Sequence, residues 1–217
     1  MTDMPAILNG SMVEPHTDFL YKEQIDDDVI DEFLSWYYLE SDKWFKSAPG
    51  ESLGKDQGSK EEGILASPMG NVNYSIKESM DTPIMNNVLI PPVNKFVEAV
   101  DAVTNNYVLR FPFAAKSGFF HMDEGWNVQW YPPGGGYKDW HTERSSSART
   151  NTYRHLVWMV YLNDVPNGGT EWFHQQHYEE AKRGSCCVWP ADWTYTHKGR
   201  VSMEHDKLIA TGWYSFA

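Results

Sequence analysis

Cysteine is nearly absent from this 217-residue sequence: there are two, Cys186 and Cys187, side by side. Neighbouring cysteines are poorly placed for an ordinary structural disulfide, and on a strand they point to opposite faces. They are expected to be reduced core residues, which suits an intracellular setting. Long apolar runs are missing too, so no stretch reads as a membrane span. The opening Met1-Thr-Asp-Met-Pro has no basic region followed by an apolar run, and a cytoplasmic protein with no membrane partner is expected. Positive charge is scarce. With 18 Lys+Arg against 30 Asp+Glu, the formal net charge is −12; such a chain repels a phosphate backbone, which argues against nucleic acid as a partner. There is no internal repeat and no low-complexity tract.

What is abundant points the other way. The apolar share is 41% and the aromatic share 15%, with 10 Trp, enough for a globular, β-rich chain with a real core. One domain over 1–217 is expected, with an arm and two supporting helices in 1–106 and a strand-rich core carrying the site in 107–217. Residues 1–24 read as an extended arm. Asp26-Asp27-Asp28 precedes Val29, Ile30, Phe33, Leu34, Trp36 and Tyr37. That is the helical period behind an acidic N-terminus, and it predicts a helix to about Phe45. Residues 47–63 are polar, glycine-rich and aperiodic, an exposed insertion or a lid; 114–125 is a second candidate lid. A short strand is expected within 71–80. Pro91-Pro92 opens a second helix, ending near Asn105-Asn106. Strands are then expected at 126–131, 137–143, 156–163, 169–173, 185–189, 195–197 and 208–216, with a turn at Asn167-Gly168-Gly169. Short strands with regular turns behind two helices imply a sandwich or barrel.

His141 and Glu143 are two apart, so on a strand an imidazole and a carboxylate share one face. His197, in another predicted strand, can supply a third ligand. Two histidines and one carboxylate on one side of a metal leave coordination positions open, which suits iron(II) that must also bind a cosubstrate and dioxygen. A closed structural zinc site uses four ligands, usually with cysteine. A lone His-x-Glu is a weak signal, and His121-Met-Asp123 is a rival. Lys207, Ile209, Thr211 and Trp213 share one face of the last strand. Turned inward, that face puts an ammonium, a hydroxyl and an indole into an aromatic cavity. A buried ammonium needs an anion, and the distal carboxylate of a 2-oxo diacid serves; Tyr131 and Tyr161 offer phenolic donors to it. The plain alternative is a surface lysine.

Taken in order, these elements resemble the iron(II)- and 2-oxoglutarate-dependent dioxygenases, in particular the prolyl 4-hydroxylase-like branch. The pattern is Tyr131…Gly134…Tyr137, His141-Thr-Glu143, Arg154, Tyr161-Leu162-Asn163, Gly168-Gly169, His197, Lys207 and Trp213, with Gly184-Ser-Cys-Cys-Val-Trp-Pro190 similar to the strand before the distal histidine. It covers roughly 126–216. The resemblance implies a mainly β fold with flanking helices around a double-stranded β-helix, or jelly-roll, core. It implies iron(II) held by His141, Glu143 and His197, with 2-oxoglutarate held by Lys207 and Tyr131 or Tyr161, beside Thr211 and Trp213. It also implies dioxygen as oxidant and ascorbate as an accompanying reductant. The activity implied is hydroxylation of an unactivated C–H bond, in a prolyl residue or a free amino acid, with release of succinate and CO2. Two departures stand out. Glu143 occupies a position where most members carry aspartate, and the tyrosine turn is one residue longer before the histidine.

The remaining residues are less directed. Arg149 and Arg154 either bind an acidic substrate group or cover the barrel end. His174, His177, His155 and His205 read as bystanders. Trp140 is expected to face away from the ligands and pack in a second layer; Tyr137 and Trp172 are candidates for substrate contact at the mouth or for packing, with packing ahead. Two other classes stay open: a cupin-type metal enzyme that does not use 2-oxoglutarate, and a non-catalytic aromatic-rich binding module. The substrate, a small molecule or a peptide, and the oligomeric state are not legible.

Overall fold

The structure, a computed structural model, describes residues 18–47, 80–84, 90–146 and 149–217. Apart from Ser47 and Met80, the insertion expected at 47–63 and the strand expected within 71–80 lie outside these residues.

Helix α1 (Asp27–Ser47) begins where the acidic triplet places it, with Asp27 and Asp28 in its first turn against the positive end of the helix dipole. Helix α2 (Pro91–Arg110) opens on its two prolines, which need no amide partner there. It continues about one turn past Asn105-Asn106, to where the Phe111 N–H caps the Tyr107 carbonyl. A short helix α3 (Phe113–Lys116) follows. Among the described residues no helix is long and apolar enough to cross a membrane.

The strands are β1 (Tyr21–Gln24), β2 (Met80–Ile84), β3 (Phe120–His121), β4 (Trp126–Tyr131), β5 (Arg154–Tyr161), β6 (Val165–Trp172), β7 (His177–Ala181), β8 (Ser185–Pro190), β9 (His197–Gly199) and β10 (Lys207–Phe216). They form two antiparallel sheets. The major sheet runs β1-β8-β5-β10-β4-β2, with β3 pairing the end of β10; the minor sheet runs β7-β6-β9. This is the jelly roll expected from the sequence, mainly β with helices against one face.

Side-chain alternation divides the core in two. On the helix side of the major sheet, Trp126, Trp158, Val160, Cys186, Val188, Leu208 and Ala210 pack with Phe33 and Phe96; the Phe33 and Phe96 rings stack at 4.4 Å, and Trp126 meets Trp158 edge-on at 5.4 Å. On the inner side, Tyr131, Val157, Met159, Tyr161, Cys187, Trp189 and Ile209 face Val165, Trp172 and Ala181 of the minor sheet. Cys186 and Cys187 thus enter opposite cores, both buried and unpaired. Burial pushes the Cys187 thiol up to about 12, which suits an inert core residue.

Four local expectations need correction. Residues 137–143 form no continuous strand: Tyr137 and His141 make single bridges to the edge of the minor sheet. Asn167-Gly168-Gly169 is a bulge within β6, not a turn; Asn167 takes φ 58°, and the β6–β7 register shifts between Val165 and Thr170. Residues 193–195 are a 3-10 turn, and pairing begins only at His197. Trp140 does point away from the ligands, but it is 41% exposed, against Phe173 and under the Lys198 ammonium, not packed in a second layer.

Candidate metal and cosubstrate site

The segment from Tyr131 to Arg144 is laid along β9. Its Pro-Pro-Gly-Gly-Gly turn uses Gly134 at φ 84°, a conformation glycine adopts freely, and the Gly134 N–H bonds the Ser202 carbonyl at 2.7 Å. His141 and His197 exchange two backbone hydrogen bonds of 2.9 Å, which brings their side chains to the same point inside the jelly roll. Thr142, between the two ligand candidates, points away and bonds the Ala191 carbonyl at 2.9 Å. Glu143 returns inward.

His141, Glu143 and His197 therefore converge: one donor atom from each lies within 4.8 Å of the others. Glu143 Oε1 is 3.5 Å from Nε2 of both histidines. Each imidazole is oriented from behind. Nδ1 of His141 bonds the Asp139 carbonyl at 3.0 Å, and Nδ1 of His197 bonds the Tyr195 carbonyl at 2.9 Å. A ring that donates from Nδ1 presents the Nε2 lone pair, the tautomer a metal needs. Burial, then the neighbouring His141, pushes His197 down from its ordinary value, favouring the neutral ring. Burial alone would raise the Glu143 carboxyl, but hydrogen bonds and charge from His141 and His197 hold it well below the usual carboxylate range. Two imidazoles and one carboxylate on a single side are the donor set of an iron(II) site with open positions.

Lys207 begins β10 directly opposite Tyr131, and it is 5% exposed. Its ammonium donates to the carbonyls of Gly168 and Arg200, each at 2.9 Å, and sits 5.3 Å above the Tyr131 ring. Burial lowers it to about 8. Among the described residues no carboxylate pairs with it. A Cβ on Gly199 would come within 3.2 Å of its nitrogen, so glycine there keeps the space around the ammonium open. Among the described residues, a buried cation held by carbonyls and a ring face fits a carboxylate ligand.

The other expected cosubstrate residues are placed less simply. Tyr131 meets Lys207 with its ring, while its hydroxyl bonds Gln129 at 2.5 Å. Tyr161 is fully buried in the inner core, its hydroxyl on Thr170 at 2.7 Å. Thr211 bonds the Trp158 carbonyl at 3.0 Å. Trp213 does point inward, but its N–H goes to Glu143 Oε2 at 2.9 Å.

Arg154 is turned inward as well. Its Nη1 is 3.2 Å from Glu143 Oε2, its Nε and Nη2 bond Glu124, and its guanidinium lies 3.5 Å over the Trp213 ring. Arg149 is exposed. The rival pair stays apart from the site: His121 is 3.5 Å from Asp123, and both are well exposed. Tyr137 packs its ring 3.8 Å from that of His141, and Trp172 is a core residue beside Trp189 and His197. His174 and His205 are exposed, and His155 is wedged between Phe120 and Phe216. Glu124 was not anticipated; Asp123-Glu124-Gly125 reads only as polar residues before a strand. A cavity of about 1020 Å³ lies on the helix side of the major sheet, lined by Val97, Asp101, Phe119, Trp126 and Tyr214, away from this constellation.

Comparison with known proteins agrees with the geometry. The family model described as the 2OG-Fe(II) oxygenase superfamily matches residues 126–215. No curated protein sequence matches. Among solved structures, the chain is similar to a prolyl-4-hydroxylase of Pseudomonas putida (15% identity, 93% of this chain and 94% of that one, TM-score 0.60). It is similar also to a viral collagen prolyl hydroxylase from Paramecium Bursaria Chlorella virus-1 in its 2-oxoglutarate complex (14%, 94% and 99%, 0.60). A third is a Trichoplax adhaerens prolyl hydroxylase in complex with a hypoxia inducible factor oxygen degradation domain peptide fragment (14%, 93% and 86%, 0.62). The stretch that carries the His-Glu-His cluster and Lys207 is thus the stretch that matches the 2OG-Fe(II) oxygenase superfamily, residues 126–215, and the chain has the fold of the prolyl 4-hydroxylases.

Proposed function

We propose that the protein is an iron(II)- and 2-oxoglutarate-dependent hydroxylase of a prolyl residue in a peptide or of a free amino acid, with His141, Glu143 and His197 holding the metal and Lys207 the cosubstrate. The observation that carries this is the pairing of a His-Glu-His cluster with a buried lysine that has no carboxylate partner among the described residues. Iron(II) in such a site supplies, with 2-oxoglutarate and dioxygen, the oxidising chemistry that hydroxylates an unactivated C–H bond and leaves succinate and CO2.

The chain's own part is binding, orientation and exclusion of water. The carbonyls of Asp139 and Tyr195 fix both imidazoles with Nε2 facing Glu143. Lys207 pairs with the distal carboxylate of the cosubstrate while the Tyr131 ring stabilises the same charge. The inner core beside them is closely packed and aromatic, with Tyr161, Trp172 and Trp189 each under 2% exposed, so the reacting groups sit in a low-dielectric pocket. The substrate assignment is supported by the peptide bound to the Trichoplax relative.

The test is succinate production with iron(II), 2-oxoglutarate and ascorbate, screened across proline-containing peptides and free amino acids. Slow uncoupled turnover, accelerated by one of these classes, is expected. Iron-loaded, folded protein that makes no succinate with any of them would overturn the reading.

A further inference from the structure

Glu143 uses its two oxygens differently. Oε1 faces both histidine Nε2 atoms at 3.5 Å. Oε2 is turned away and taken twice, by the Trp213 N–H at 2.9 Å and by Arg154 Nη1 at 3.2 Å. We propose that Trp213, Arg154 and Glu124 form a clamp that restricts Glu143 to one-oxygen metal binding. This rests on the reading of His141, Glu143 and His197 as the metal ligands.

The clamp is itself immobilised. Arg154 spends Nε and Nη2 on Glu124, at 3.0 and 2.7 Å, and Nη1 reaches both the carboxylate and the main-chain carbonyl of Glu143. Its guanidinium carbon lies 3.5 Å over the Trp213 ring, and Glu124 takes a further hydrogen bond from Ser215 at 3.0 Å. Arg154 and Glu124 are 11% and 16% exposed in their side chains, so water offers few alternatives to these partners. A planar guanidinium held by a carboxylate on one side and a ring face below has one orientation.

Two consequences follow for the metal. A glutamate has one more rotatable bond than an aspartate, and unrestrained it could close on a cation with both oxygens. That would occupy a position the cosubstrate or dioxygen needs. Holding Oε2 removes this option. The guanidinium also stands between the two carboxylates and ties Glu143 to Glu124. The single oxygen of Glu143 free of the clamp faces the two imidazoles. Arg154, Glu124 and Trp213 are therefore positioning residues, matched to a glutamate.

The experiment titrates cobalt(II) into apoprotein and reads both the dissociation constant and the visible absorption spectrum. The variants are Trp213→Phe, which keeps a ring under the guanidinium but removes the N–H, Arg154→Lys, Glu143→Asp, and the double variant Glu143→Asp/Trp213→Phe. Trp213→Phe and Arg154→Lys are each expected to weaken cobalt about 10–100-fold and to change its spectrum. Trp213→Phe should cost much less in the Glu143→Asp background, because the shorter carboxylate no longer reaches the indole. Melting of each apoprotein serves as the folding control, and if Arg154→Lys does not fold, the Trp213→Phe cycle alone decides. Unchanged affinity and spectrum in folded Trp213→Phe, or full additivity with Glu143→Asp, overturns the clamp while leaving the ligand assignment standing. A wild-type protein that binds no cobalt overturns the ligand assignment and the clamp with it.

Discussion

Lys207 lies directly across the β4–β10 ladder from Tyr131, with its ammonium 5.3 Å from the centre of the tyrosine ring. The ring and two carbonyls share its charge without neutralising it. Lys207→Met keeps the length of the side chain and removes the charge. Truncating one member of a buried charge pair costs a ligand on the order of 2–5 kcal/mol, so 2-oxoglutarate affinity should fall at least about 30-fold. The apoprotein should melt at the same temperature or higher, because an apolar isostere replaces an unpaired buried cation. Anaerobic titration of the iron(II) protein, following the visible band that 2-oxoglutarate induces, measures the first effect, and thermal melting the second. A cupin-type enzyme without this cosubstrate would bind no 2-oxoglutarate even before mutation.

The same lysine sets a pH dependence. Burial lowers it to about 8, and a bound carboxylate stabilises the charged form, raising it again. Binding at pH 9 must therefore take up a proton that the free protein already carries at pH 7. The dissociation constant for 2-oxoglutarate should be flat below pH 7 and weaken by up to about tenfold per unit above 8. The sign for stability is the opposite. In the apoprotein the unfolded chain binds the Lys207 proton more tightly, so this residue's contribution to folding improves between pH 8 and about 10.5. Titrations at pH 6.5, 7.5, 8.5 and 9.5 check the binding profile; tighter binding at high pH would contradict it.

Gly212 tests the packing behind the site. A Cβ there would lie 2.6 Å from the Trp126 Cβ and 2.8 Å from two Trp158 ring atoms. Trp126 and Trp158 are both fully buried, so neither can withdraw. Gly212→Ala should destabilise the fold by about 3 kcal/mol or more, beyond the usual cost of overpacking, measured by urea unfolding. Gly134→Ala meets only the flexible end of Met203 at 3.8 Å, and its cost should be the smaller one of a side chain at φ 84°.

How far the sequence led depended on where each residue's partner lies. Helix α1 and strands β4, β5, β8 and β10 were legible because period and capping are local. The inward face of β10 followed from alternation alone, and so did the opposite burial of Cys186 and Cys187. The 137–144 segment misled because spacing that suits a strand also suits a chain bridging a sheet edge at isolated points; His141 and Glu143 converge all the same. Asn167-Gly168-Gly169 carries turn chemistry, and the fold uses it for a bulge. Trp213 was expected at the cosubstrate and is found on Glu143. That choice, like the role of Glu124, depends on which carboxylate arrives from a distant loop, and no local pattern records it.

Metal loading should be visible as stability, independent of turnover. An ion that binds only the folded chain stabilises it by about 2.7 kcal/mol at 100 times its dissociation constant. For a chain of this size that corresponds to roughly 5–10 °C. Manganese(II), stable in air and content with nitrogen and oxygen donors, is a suitable probe, and a chelator should reverse the shift. His197→Ala removes a proposed ligand that is 8% exposed in its side chain and should abolish the shift, at some cost to the apoprotein because Trp172 and Trp189 pack against that ring. His121→Ala, at the exposed rival pair, should leave the shift intact. A shift that survives His197→Ala but is lost in His121→Ala would move the metal to His121 and Asp123.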